Sequence, residues 1–92
     1  VVAESWGTLA RRLSRAIRDR RLAGDLSQPD LARMAKVSLR RVQQLEADGG
    51  GENPSLKALH QIAVALDTTV MELLAPDRPK EATRRRAPKR SG

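Results

Sequence analysis

The sequence predicts an all-α fold of five short helices, and three observations carry that prediction. Apolar residues recur at spacings of three and four rather than alternating, and β-branched residues are sparse. Ser or Thr stands just ahead of four of these runs, at positions 27, 38, 55 and 69, where a side-chain oxygen caps a helix. Turn-forming residues separate the runs closely, as in a compact helical domain.

The first helix is expected from about Thr8 to Leu22, with Leu9, Leu13, Ala16 and Ile17 as its apolar stripe and Gly24 as its stop. Arg11, Arg12, Arg15 and Arg18 cover its other sides. Ser27-Gln28-Pro29-Asp30 forms a near capping box for the second helix, with Pro29 in the first turn, where a missing N–H costs little. Leu31, Ala32 and Ala35 supply its buried side. After the turn Lys36-Val37-Ser38, Ser38 caps a third helix running to about Ala47, with Val42 and Leu45 inward. Residues 48–54 read as a loop. Ser55 opens a fourth helix whose core face is Leu56, Leu59, Ile62, Ala63 and Leu66. Thr69-Val70-Met71-Glu72 caps a short fifth helix carrying Val70, Leu73 and Leu74. Met34 and Met71 are expected to be packing residues, and His60 to lie at the surface or beside the core. Trp6 is expected to anchor onto the first helix, with a dimer contact as the alternative.

Composition bounds the chemistry. The 92 residues hold no Cys and a single His, so a disulfide framework, a zinc ribbon and a two-histidine metal site are excluded. Glu46 and Asp48 read as helix-end and turn residues, and without a flanking His, Cys or Tyr they make no acid/base couple. No enzyme, metal or cofactor is expected. No apolar run is long enough to span a membrane and no secretory-leader pattern is present, so a cytoplasmic, nucleoid-associated location is expected. The net charge is +7 and unevenly spread. Residues 1–41 hold 10 basic and 4 acidic side chains; residues 42–75 hold 1 and 5; residues 76–92 hold 7 and 2. A basic first half and a basic end point to a nucleic acid partner. The last segment, with three prolines and nothing apolar larger than Ala, is expected to be a disordered tail. It is either a solubilising terminus or a phosphate-binding arm using Arg84, Arg85, Arg86, Lys89 and Arg90.

Two short helices joined by a three-residue turn have the spacing of a helix-turn-helix. At about 100° per residue, a core side centred between Val42 and Leu45 points Arg40 and Ala47 outward. Gln43 and Gln44 then lie about 130° from the core, Leu39 is lateral, and Arg41 and Glu46 border the core. Arg pairs bidentately with guanine and Gln with adenine in the major groove, so this face suits base reading.

The stretch from Leu26 to Leu74 resembles the phage repressor/Cro family, the Xre-type helix-turn-helix domain. Its landmarks are Leu26-Ser27-Gln28, Leu31-Ala32, Val37-Ser38, Val42, Leu45-Glu46, Asn53-Pro54-Ser55-Leu56 and Ile62-Ala63-x-Ala65-Leu66. The resemblance implies a five-helix lambda-repressor-like DNA-binding domain over residues 8–75, with its motif at 27–47, an N-terminal extension at 1–7 and the tail at 76–92. It implies that Ser38, Leu39, Arg40 and Gln44 read bases, Leu39 by apolar contact with a thymine methyl. Gln43 lies beside them, open to base or backbone. Gln28 is implied to bind a phosphate and brace the third helix, with Arg41 a further phosphate candidate. Lys36 and Arg15, and Arg85 in the tail, complete the expected phosphate set. Two features depart from the family. Lys36 stands where Gly is usual, and the loop after the third helix is acidic and glycine-rich rather than basic. Anchoring is therefore assigned to Arg11, Arg12, Arg15 and Arg18. The expected function is a transcriptional repressor reading double-stranded DNA as a homodimer through helices 55–74, with Val70, Leu73 and Leu74 as candidate contacts. The alternative is an antitoxin or other protein-interaction module that also binds its operator.

Overall fold

The structure, a computed structural model, describes residues 3–47 and 53–75. The expectations for the central loop at 48–52 and for the tail, Arg85 included, lie outside the described residues. Five helices form in the order α1 (Trp6–Ala23), α2 (Gln28–Ala35), α3 (Leu39–Glu46), α4 (Leu56–Ala65) and α5 (Val70–Leu74). Among the described residues there is no strand. No helix there is long and apolar enough to cross a membrane.

Each helix starts at a hydroxyl. The side chains of Ser5, Ser27, Ser38, Ser55 and Thr69 accept from the N–H three residues on. Such a cap satisfies one orphan donor and contributes roughly 1 kcal/mol. At α2 the box is complete, because the Ser27 N–H also donates to the Asp30 carboxylate at 3.0 Å. Ser5 sets the start of α1 two residues earlier than expected, and Trp6 is therefore the first residue of the helix, about half exposed rather than packed down as an anchor.

The ends of α1, α2 and α4 share one geometry. Asp25, Lys36 and Asp67 have φ near +60°, and the amide after each donates five residues back, to Arg21, Ala32 and Ala63. This is the Schellman closure, usually made by glycine. The stop after α1 thus uses Asp25 in the left-handed region, while Gly24 keeps φ at −89°. Asp tolerates that region through its short polar side chain, whereas Lys36 costs about 1 kcal/mol there.

The core takes one fully buried aliphatic side chain from every helix. Ile17, Leu31, Val42, Ile62 and Leu73 are each 0% exposed. Removing such a side chain from water contributes about 1.5–3 kcal/mol. Around them α2 packs on α3 and α4, α1 packs on α3 and α5, and α4 meets α5. Serving two partners rotates the buried stripe of α1 from the expected one. It runs through Ala10, Leu13, Ser14, Ile17 and Arg21, while Leu9 and Ala16 are only partly buried. Four further expectations are corrected. Leu56, at the first position of α4, is 71% exposed and Ala58 is buried instead. Met34 and Met71 are exposed and lie outside the buried core. Leu73 is sealed in the core and is unavailable as a subunit contact.

Candidate nucleic-acid interface

α2 and α3 are held as one unit by Val42 and Leu45, which pack into the core beside Leu31 and Ala35. That packing turns the opposite side of α3 outward. Arg40 and Gln43 are exposed, Leu39 is 39% exposed, and Gln44 and Arg41 are half-buried. Ser38 caps the helix by accepting from the Arg41 N–H at 3.0 Å, which leaves its hydroxyl proton able to donate. Five potential base contacts therefore share one end and side of a single helix, and a helix of about 10–12 Å diameter fits a major groove about 12 Å wide.

The two ends of the motif are tied together beneath this face. Gln28, the first residue of α2, donates its Nε2 proton to Glu46 Oε1 at 3.1 Å, joining it to the last residue of α3. Glu46 in turn accepts from Arg21 through both oxygens, at 2.7 Å from Nε and 3.0 Å from Nη2. Arg21 Nη1 donates to the Leu26 carbonyl at 2.8 Å. Both charged side chains are almost fully enclosed, and no buried polar side-chain atom among the described residues lacks a partner. Bonding to the Glu46 carboxylate raises the Arg21 pKa, and the attraction of that charge adds to the rise against the cost of burial. The Arg21 guanidinium therefore stays ionised at every ordinary pH. A bidentate guanidinium–carboxylate contact fixes orientation as well as energy, so it orients the end of α3 against α1, and the Gln28 bond ties the head of α2 to the same carboxylate.

The arginines of α1 divide by duty. Arg12 pairs with Glu4 and donates to the Leu74 carbonyl, so it braces α1 against α5 rather than serving as a ready phosphate anchor. Arg18 reaches the Glu46 carbonyl at 3.5 Å from an exposed position. Arg11 and Arg15 lie on the exposed side of the helix, and Lys36 is exposed at the turn. The buried Ser14 and Arg21 were not among the expected functional residues. Their signal was faint: two polar side chains in register with Leu13 and Ile17, opposite a Glu46 that borders the core of α3.

Residues 17–73, more than half of the chain, match the HTH_3 family, described as helix-turn-helix. The chain belongs to this Cro/repressor-like DNA-binding family. Two solved structures agree with that membership. The restriction-modification controller protein C.AhdI from Aeromonas hydrophila is 31% identical, with a TM-score of 0.64 over 70% of this chain and 94% of that one. The hypothetical transcription factor NHTF from Neisseria is 25% identical, with a TM-score of 0.71 over 91% of this chain and 92% of that one. No curated protein sequence is significantly similar to the chain. The helix-turn-helix chain is a DNA-binding transcriptional regulator.

Proposed function

We propose that this regulator is a sequence-specific repressor that inserts α3 into the major groove of double-stranded DNA. One observation carries the reading: Val42 and Leu45, at 0% and 2% exposure, lock one side of α3 while Arg40 and Gln43 stand free of the core on the other. Arg40 pairs with guanine, Gln43 and Gln44 with adenine or the adjoining backbone, Ser38 donates to a base acceptor, and Leu39 touches a thymine methyl. Gln28, Arg41, Lys36 and Arg15 meet phosphates around the groove, and Arg85 does so from the tail. Gln28 carries out that task while bonded to Glu46, because its amide nitrogen has a second proton to give.

A single helix reads few base pairs, so two copies on an inverted repeat, with half-sites about 34 Å apart, supply the specificity. The second copy docks on α4 and α5. Met71, Leu56 and Val64 have the highest fractional exposure of the exposed large apolar side chains, at 82%, 71% and 60%, and all belong to these two helices. They join Val70 and Leu74, which are only partly buried, while Leu73 is sealed in the core. This half of the domain is also acidic, so a partner there leaves the basic half to the DNA.

Arg40→Ala tests the groove reading. The expected result is a loss of about 1–3 kcal/mol in binding and a relaxed preference at one base position. An equal loss on all duplexes would remove Arg40 from base reading. Deleting residues 78–92 is expected to weaken all duplexes alike and flatten the salt dependence of binding; an unchanged slope assigns the tail to solubility alone.

A further inference from the structure

α3 is eight residues long, too short to persist as a helix unaided, and its last turn works against it. Glu46 puts a negative charge at the negative end of the helix dipole, and no basic residue of α3 stands there to balance it. The carbonyls of that turn also need donors from outside the helix. One face of α1 supplies both. Ser14 Oγ lies 2.6 Å from the Leu45 carbonyl oxygen and 3.0 Å from that of Ala47. Arg18 reaches the Glu46 carbonyl, and Arg21 neutralises the Glu46 carboxylate. Residues 14, 18 and 21 are spaced by four and three, so they lie along one side of α1. Ser14 is 2% exposed, which shuts water out as a substitute donor. Its single proton is shared between two carbonyls, the shorter contact falling on Leu45.

We propose that Ser14 is a positioning residue for base recognition: its hydroxyl pins the C-terminal end of α3 and so sets the height and tilt at which Arg40, Gln43 and Gln44 meet the bases. The inference rests on the groove reading proposed above. Ser14 itself is buried and meets no DNA, so its effect passes entirely through α3. Bidentate base contacts depend steeply on distance and angle, and a short helix released at its C-terminal end tilts as a whole, displacing Arg40, Gln43 and Gln44 together. Phosphate contacts from flexible Lys and Arg side chains tolerate the same displacement.

The test compares two probes: a duplex selected from a random library by the wild-type chain, and a scrambled duplex of equal length. Ser14→Ala is expected to lower preference for the selected duplex about five- to tenfold, the scale of one lost hydrogen bond. Affinity for the scrambled duplex and the salt slope stay unchanged. Leu9→Ala, in the first turn of α1 and part of neither the clamp nor the proposed contact set, is the control: it lowers the unfolding midpoint without moving the ratio between probes. If Ser14→Ala does not fold, Ser14→Cys carries the same test, since a thiol is a weaker donor and gives a smaller loss in the same direction. A ratio that stays at the wild-type value while the unfolding midpoint falls would overturn the positioning role. A wild-type chain that selects nothing overturns the groove reading itself, and that result is seen before any variant is measured.

Discussion

Glu46 shows how one side chain can serve the whole motif. It ends α3, takes a bidentate pair from Arg21 and holds Gln28 at the head of α2. Ionised groups this enclosed are costly to strand. Glu46→Ala leaves the Arg21 guanidinium with the Leu26 carbonyl alone, and the expected loss is about 3 kcal/mol of unfolding free energy, measured by urea titration. That is a large share of the roughly 5–15 kcal/mol available to a native domain. Replacing both partners, as Arg21→Met with Glu46→Leu, is expected to recover most of the stability while leaving Gln28 untethered. A double variant as unstable as the single one would mean that the pair stabilises by more than mutual compensation. The arrangement also explains why sequence reasoning reached Glu46 only as a border residue. Its angular position on α3 was legible, but its burial depends on Arg21, twenty-five residues earlier, and no local pattern announces that pairing.

The elements themselves were legible wherever the signal is local. Ser27, Ser38, Ser55 and Thr69 announce caps within four residues of chain, and all four cap the helices expected of them. Val42 and Leu45 define the inner side of α3 because a two-turn amphipathic helix has only one way to bury them. Met34, Met71 and Leu56 were misplaced because an apolar side chain near the end of a short helix carries no periodic context, and neighbouring elements decide whether it is covered. The cap of α2 makes an element-level prediction. The Ser27 backbone N–H, then the Ser27 hydroxyl and Arg33, hold the Asp30 carboxyl below its ordinary value. Because the folded value is the lower one, the stabilisation is full above the unfolded value of about 3.9 and disappears as pH falls through the folded value. The urea midpoints of the wild type and Asp30→Asn should therefore differ at pH 6 and converge once the pH falls below the lowered folded value. A gap that persists in acid would show that the cap does not depend on the charge of Asp30.

At the scale of the whole molecule, charge divides the domain, and the three most exposed large apolar side chains among the described residues fall in its acidic half. Basic residues concentrate before Val42, where the helix-turn-helix lies, and acidic residues after it, where α4 and α5 expose Leu56, Val64 and Met71. One half suits phosphates and the other suits a second copy of the chain. That division does not follow from net charge, which includes a strongly basic final segment. In the proposed mode of binding, α3 of each of two copies reads one half of a symmetric site. Selection of duplexes from a random library by the intact chain, at near-physiological salt, measures this most directly, because it returns the preferred sequence, its symmetry and its spacing together. The expected result is an enriched inverted repeat with half-sites about one helical turn apart, and a guanine position that loses its preference with Arg40→Ala. A library that emerges without sequence enrichment, although the chain binds it in a salt-sensitive way, would contradict that mode of binding.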